Sequence, residues 1–348
     1  MKIGILTFHK AYNYGAILQT YALYKTLKNF NVECEVIDYC PKSTSTISFK
    51  QKIKKLLKHF YEKKKIQAFT VFSKNITFTN KEYHNIEELN DLDIQNYFDK
   101  YIVGSDQVWN KNIIKNDYAY FLDFVKEPKK KYSYAASIGN VNFSADVQKI
   151  YEQKLMDFSL ISIREQSSKK ILKYLDNENI KVVSDPTLLL DKYDWLKITS
   201  RRLINKKYAF LYTIGVPDNL VKYAKKICKE KNLILINSKK SRAFFRNLNP
   251  SDFLSFIYNA EYVFTNSFHG TCFSIIFEKQ FVTEVNLKTN SINTRSFDLL
   301  KKLGLTNRDM NDISFKIDDK IDYDSVEKIK TEFKNESIDF LNKIINYK

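Results

Sequence analysis

An imidazole can take and give a proton near neutral pH, and His269 lies in a stretch suited to that work. The stretch is Glu261–Glu278, EYVFTNSFHGTCFSIIFE. Apolar, β-prone Tyr262, Val263 and Phe264 stop at the polar turn Thr265-Asn266-Ser267. His269-Gly270 then lead into an apolar segment that reads as a buried helix. The order puts His269 at the carboxyl end of a strand and the amino end of a helix. Free N–H groups and the positive end of the helix dipole favour anions there, and ligands of open parallel sheets collect there. Asn266, Ser267 and the turn at Gly270 are the anion-binding candidates of this stretch. The plainer reading is a half-buried histidine bonded to a backbone carbonyl.

Two arginines carry the next signal. Of 57 basic residues only seven are arginine, so a guanidinium in this lysine-rich chain marks a place where a planar fork suits carboxylate or phosphate. Arg164 closes the apolar run Leu160–Ile163 in LISIREQSS, and Arg295 opens the helical pattern NTRSFDLLKKLGL. A cation in a helix's first turn opposes the dipole, which points to a task for Arg295 elsewhere. Ser137, in SYAASIG, offers a hydroxyl and open N–H groups at another strand end. A salt bridge to Glu165 and a plain strand end are the ordinary alternatives.

Sugar-binding chemistry is suggested by two loops. In FHKAYNYGAILQTYAL, Asn13, Tyr14 and Gln19 surround Gly15 at a helix start. In YIVGSDQVWN, Ser105, Asp106, Gln107 and Asn110 gather polar groups beside Trp109, a mixture of ring face and hydrogen-bonding groups that grips sugars. Capping by Asp106 and core packing of Trp109 compete with that reading.

The elements that must position these residues follow from pattern. Strands are expected at Lys2–Phe8, Val32–Asp38, Tyr101–Val103, Tyr118–Phe124, Tyr132–Ile138 and Leu160–Ile163. Helices are expected at Ala16–Phe30, Lys50–Phe72 and Ala145–Phe158, and another after Arg164. Ser184–Leu196, SDPTLLLDKYDWL, reads as a break punctuated by Pro186. A second series follows: strands Tyr208–Ile214, Leu233–Ile236, Tyr262–Thr265 and Phe281–Val285, with helices Asn219–Lys231, Ser251–Tyr258 and Thr271–Glu278. Helices Asn293–Leu303 and Ser325–Tyr347 end the chain. Such alternation implies parallel sheets in two doubly wound α/β domains, divided as residues 1–196 and 197–322, with 323–348 a helix long enough to cross back.

Composition narrows the function. At 44% hydrophobic and 15% aromatic the chain is globular. No stretch of about 18 apolar residues could span a bilayer, and the start, MKIGILTFHK, reads as a core strand rather than a secretory signal; a cytoplasmic location is expected. Cys34, Cys40, Cys228 and Cys272 stand singly, and His9, His59, His84 and His269 lack ligand spacing, so neither disulfides nor a metal are expected. The net charge of +17 comes mostly from scattered lysines, which argues for solvated faces rather than a nucleic-acid site. The denser run Lys50–Lys65 could touch an anionic membrane surface.

NYGAILQTYAL, YIVGSDQVWN, SYAASIG, ISIREQSS, SDPTLLLD, TNSFHG and NTRSFDLLKKLGL, in this order, resemble the polysaccharide pyruvyl transferase family over residues 13 to about 305. The resemblance implies two Rossmann-like domains arranged as in type-B glycosyltransferases, with the site between them. It implies transfer of a pyruvyl group from phosphoenolpyruvate, as co-substrate and with no other cofactor, to a sugar acceptor that could be lipid-linked. The product is a ketal across two hydroxyls, with phosphate released. The family's histidine before glycine corresponds to His269 and its strand-end arginine to Arg164. Some relatives carry an arginine shortly before that histidine, where this chain has Ser267-Phe268; Arg295 or a lysine would supply that charge. The donor-side candidates are then Arg164, Asn266, Ser267, Gly270, Arg295 and Ser137. The acceptor-side candidates are Asn13, Tyr14, Gly15, Gln19, Ser105, Asp106, Gln107 and Trp109. A nucleotide-sugar glycosyltransferase of the same fold is the alternative; its usual D-x-D has only Asp91-Leu92-Asp93 to offer, in a polar helical stretch.

Overall fold

The computed structural model describes residues 1–41, 52–139, 143–170, 172, 180–215, 217–285 and 294–347, with 52–59 and 170 as backbone alone. Part of the basic run Lys50–Lys65 and Asn293 of the expected late helix therefore lie outside the described residues.

Parallel strands covered on both faces must be apolar along their length, and the central strands are. β1 (Lys2–Leu6), β3 (Lys100–Val103) and β7 (Tyr208–Tyr212) are buried almost throughout. The first sheet runs β2 (Glu33–Val36), β1, β3, β4 (Lys131–Ser133), all parallel. β5 (Ile161–Ile163) and β6 (Ile180–Val182) extend it from β4 through the single bridges Tyr132–Leu160 and Ala136–Ile163. The second sheet runs β8 (Ile234–Asn237), β7, β9 (Tyr262–Thr265), β10 (Gln280–Thr283), again parallel. In each half the second strand lies to one side of the first and the third to the other. A crevice therefore opens at the strands' carboxyl ends, between β1 and β3 and between β7 and β9.

The longer helices are α1 (Tyr14–Asn29), α2 (Lys52–Ser73), α3 (Ala145–Leu155), α4 (Asp218–Glu230), α5 (Pro250–Tyr258), α6 (Phe268–Ile276), α7 (Thr294–Lys302) and α8 (Tyr323–Asn346). Asn13 caps α1 by accepting the N–H groups of Gly15 and Ala16, and Ser267 caps α6. That cap starts α6 one turn before the expected Thr271, so His269 lies inside the first turn. Both crevices are cross-tied. The Gln19 amide donates to Thr7 Oγ1 at 2.9 Å and accepts the Ser105 N–H at 3.1 Å. The Asn266 amide holds the N–H and carbonyl of Ile214 at 2.7 and 2.8 Å.

The halves share one apolar core. Trp195 packs between Tyr21 of α1 and Phe273 of α6, and Tyr14 stacks on Phe253 of α5 at 4.6 Å. α8 runs back along the first half: the Ser184 N–H donates to Ser337 Oγ at 2.8 Å, and Lys100 Nζ donates to the carbonyls of Ile344, Ile345 and Tyr347 at 2.7, 3.0 and 2.7 Å.

Three expectations change. Tyr118–Phe124 is a 3-10 turn over Tyr118–Phe121, capped by Asp117, in which Phe121 stacks on Trp109 and Tyr118 packs edge-on against Phe121 instead of pairing as a strand. The strand expected over Tyr132–Ile138 ends at Ser133. After Arg164 a 3-10 turn, Gln166–Lys170, stands where a helix was expected. Among the described residues no helix is long and apolar enough to cross a membrane.

Candidate active site

Arg164 leaves β5 with its N–H still bonded to Ala136 O at 3.2 Å, so the strand aims its side chain across the end of the sheet. Nη1 donates to Asp185 Oδ2 at 2.7 Å, and Nη2 stands 3.5 Å from Asp106 Oδ1. Burial works against this cation, and Asp185, Asp106 and Glu165 more than restore it. Asp185 follows β6. Its Oδ1 accepts the N–H and hydroxyl of Thr187 at 3.0 and 2.7 Å, while Oδ2 takes Arg164 and, at 3.3 Å, the Ser105 hydroxyl. Burial alone would push this carboxyl up; His269, Arg164 and the Thr187 N–H instead hold it far below the usual range.

His269 Nε2 faces Asp185 Oδ2 at 3.6 Å, an ion-pair contact longer than a hydrogen bond, and although buried it makes no hydrogen bond. The other side of the ring lies against Gly15. Arg295, in the first turn of α7, is also buried, with Nη1 3.8 Å from Asp106 Oδ1. Burial and the charge of Arg164 lower its pKa to about 10. Both guanidinium groups approach the ring of Phe268, at 4.4 Å for Arg164 and 5.6 Å for Arg295.

Arg164, Asp185, Phe268 and Arg295 line a cavity of about 480 Å³, together with Gln166 and Asp298, a size typical of small-molecule sites; His269 adjoins it behind Asp185. Arg164, which lines it, and residues close to its wall in sequence carry buried polar atoms without hydrogen-bond partners: Arg164 Nε and Glu165 Oε2, which stand 3.7 Å apart, and Ser167 Oγ, His269 Nε2 and Ser296 Oγ. Native interiors leave few such atoms, and a cluster of them calls for a ligand or ordered water. Among the described residues no group of histidine, cysteine and carboxylate side chains is arranged to hold a metal ion.

The structure brings Arg164, Arg295, His269, Gly15, Ser105 and Asp106 to one place. It gives other candidates different work. Trp109 is wholly buried, stacked on Phe121, and donates its indole N–H to Tyr120 O at 2.9 Å, so no ring face is open to a sugar. Tyr14 is locked in the core, its hydroxyl on Leu248 O at 3.2 Å. Gln19 ties the first crevice, Asn266 the second, and Asn13 and Ser267 are caps. Ser137 donates to Glu165 Oε1 at 2.8 Å, which also accepts the N–H groups of Ile138 and Gly139 and the Ser168 hydroxyl. Gln107 accepts from Asn110 at 2.6 Å. Gly270 packs so closely on Thr265 that a β-carbon would overlap its hydroxyl.

Asp185, Phe268, Glu165 and Asp298 belong to the site and were not candidates from sequence. Asp185 had a signal. It follows Val182-Val183-Ser184, a strand end like that of Arg164, but the short strand Ile180–Val182 went unrecognised and Asp185-Pro186 read as punctuation.

A family model described as polysaccharide pyruvyl transferase matches residues 13–286. The fold is shared with solved structures along nearly the whole chain. A UDP-GlcNAc 2-epimerase from Methanocaldococcus jannaschii is 12% identical over 100% of both chains, with a TM-score of 0.53. The MnaA–UDP co-structure from S. aureus is 13% identical over 99% of this chain and 96% of that one, at 0.52. A putative UDP-N-acetylglucosamine 2-epimerase from Listeria monocytogenes is 11% identical over 97% and 89%, at 0.51. At such identities the likeness shows the fold alone: two doubly wound domains in the type-B glycosyltransferase arrangement. No curated protein matches the chain.

Proposed function

The chain belongs to the polysaccharide pyruvyl transferase family, and from that premise we propose that it moves a pyruvyl group from phosphoenolpyruvate to a sugar of a cell-surface polysaccharide precursor. A ketal closes across two hydroxyls and phosphate is released. The observation that carries this reading is the pair of buried arginines against Phe268, one wall from an imidazole with an unbonded Nε2.

Phosphoenolpyruvate brings about −1.5 to −2 on its phosphate and a further carboxylate charge. Arg164 and Arg295 both line the cavity, both lie against Phe268 and both reach Asp106, so the two guanidinium groups together make the donor grip. His269 protonates the donor's methylene carbon, leaving C2 oxocarbenium-like and open to a sugar hydroxyl. Asp185, anionic and held by Thr187, steadies the imidazolium without taking its proton. Phosphate departs and a second hydroxyl closes the ketal. The donor is a cytoplasmic metabolite, so the reading puts the enzyme in the cytoplasm, at the membrane's inner face for a lipid-linked acceptor.

The test compares thermal stability with phosphoenolpyruvate and with nucleotide sugars. Ligand at about 100 times its dissociation constant adds about 2.7 kcal/mol. Phosphoenolpyruvate is expected to stabilise the wild type and His269→Gln but not Arg295→Ala, with His269→Gln releasing no phosphate. Stabilisation by a nucleotide sugar alone overturns the reading.

A further inference from the structure

The reading above leaves the acceptor's proton without a receiver. Asp185 is unsuited: it is fully buried, bonded at both oxygens and held far below the usual carboxylate range. A second carboxylate lines the same cavity. Asp298 stands three residues beyond Arg295 on α7, so the two share a face of the helix. Its Oδ2 accepts the Ser167 N–H at 3.1 Å, and the Ser167 hydroxyl beside it helps to fix the carboxylate.

We propose that Asp298 is the base that takes the proton of the acceptor hydroxyl as that oxygen bonds to C2 of the donor. The inference rests on the pyruvyl-transfer reading. The bonds and protons balance. The methylene carbon takes a proton from His269 as the enol double bond is lost. The hydroxyl oxygen forms its bond to C2 and gives its proton to Asp298. The C2–O bond to phosphorus then breaks, phosphate leaving with the electron pair and taking the proton held by Asp298. The second hydroxyl oxygen bonds to C2, and its proton restores His269. One donor and two hydroxyls become a ketal and hydrogen phosphate, with both side chains returned to their starting state.

The surroundings suit the role. Burial raises the Asp298 carboxyl; the Ser167 N–H and hydroxyl oppose the rise, the Glu165 charge adds to it and Lys301 on α7 counters. Arg295 and Lys302 on the same helix, Arg164 beyond β5 and Asp185 beyond β6 are the other charges on the cavity wall, and α8 contributes the neutral Phe333. Two carboxyls of one site pushed in opposite directions divide the labour between orienting and proton transfer.

The experiment measures phosphate release from phosphoenolpyruvate across pH, with water and a panel of methyl hexosides as acceptors. Asp298→Asn keeps an oxygen for the Ser167 N–H. It is expected to lower kcat about 10²–10³-fold, to leave stabilisation by phosphoenolpyruvate unchanged, and to abolish the fall of kcat on the acid side. Asp298→Glu should restore part of the rate. An Asp298→Asn enzyme with the wild-type rate and acid limb overturns the assignment and leaves pyruvyl transfer standing. A wild type that releases no phosphate above background, with any acceptor, overturns both.

Discussion

Gly15 and His269 share a space with no room for a β-carbon: one built on Gly15 would overlap Nδ1 of the imidazole and stand 2.7 Å from its Cε1. Gly15 belongs to the first turn of α1 and His269 to the first turn of α6, so the two helix starts meet across the junction of the domains. The backbone of one domain thereby sets the position of a side chain in the other.

Gly15→Ala is therefore expected to displace the ring from its place beside Asp185 or part the two helices. Misplacement by about 1 Å costs roughly 10²-fold in rate. Phosphate release should fall by at least that much while circular dichroism still reports a folded protein. An unchanged rate would mean that the ring yields without consequence.

Asp185→Asn removes the partner of a buried guanidinium. Breaking a buried pair from one side costs about 3–5 kcal/mol, to be read in a denaturant titration at pH 7. The folded carboxyl lies below its unfolded value of about 3.9, so its contribution is complete above that pH and fades as pH drops below it. Wild-type stability should decline more steeply below pH about 4 than that of Asp185→Asn. Parallel acid profiles would show that the carboxylate is not what links stability to pH there.

Lys100→Met tests the tie between α8 and the first domain. Lys100 Nζ satisfies three carbonyls at the end of that helix, and burial lowers its pKa although Asp99 opposes this. Leaving buried carbonyls unpaired costs about 1–3 kcal/mol. Hydrogen exchange should accelerate over the last turn of α8, with little change in β7–β10. Uniform acceleration would instead mean that the helix end and the domain open together.

Much of the fold is legible in the chain. Apolar runs that end at polar turns locate β1, β3, β7 and β9, and polar turns followed by apolar runs mark the helices α1 and α6 after β1 and β9. β6 is harder to read, because a strand of three residues leaves too little pattern to distinguish from a turn, and β4 ends sooner than its apolar run suggests. Trp109 misleads for a related reason. Polar neighbours place it beside a loop, yet the indole enters a core built by Phe121, Tyr151 and Phe158.

By itself the sequence determined most of the order of strands and helices, and with it the strand-end positions of His269 and Arg164. Those depend on short-range alternation and on turns that any chain of this pattern must make. Only the tertiary structure decided that Asp185 stands between them, that Phe268 faces both Arg164 and Arg295, and that Gly15 fixes the imidazole. These residues meet through the docking of two sheets and the close packing between them. The direction of a side chain across such an interface depends on partners far away in the chain, and local sequence carries no record of them.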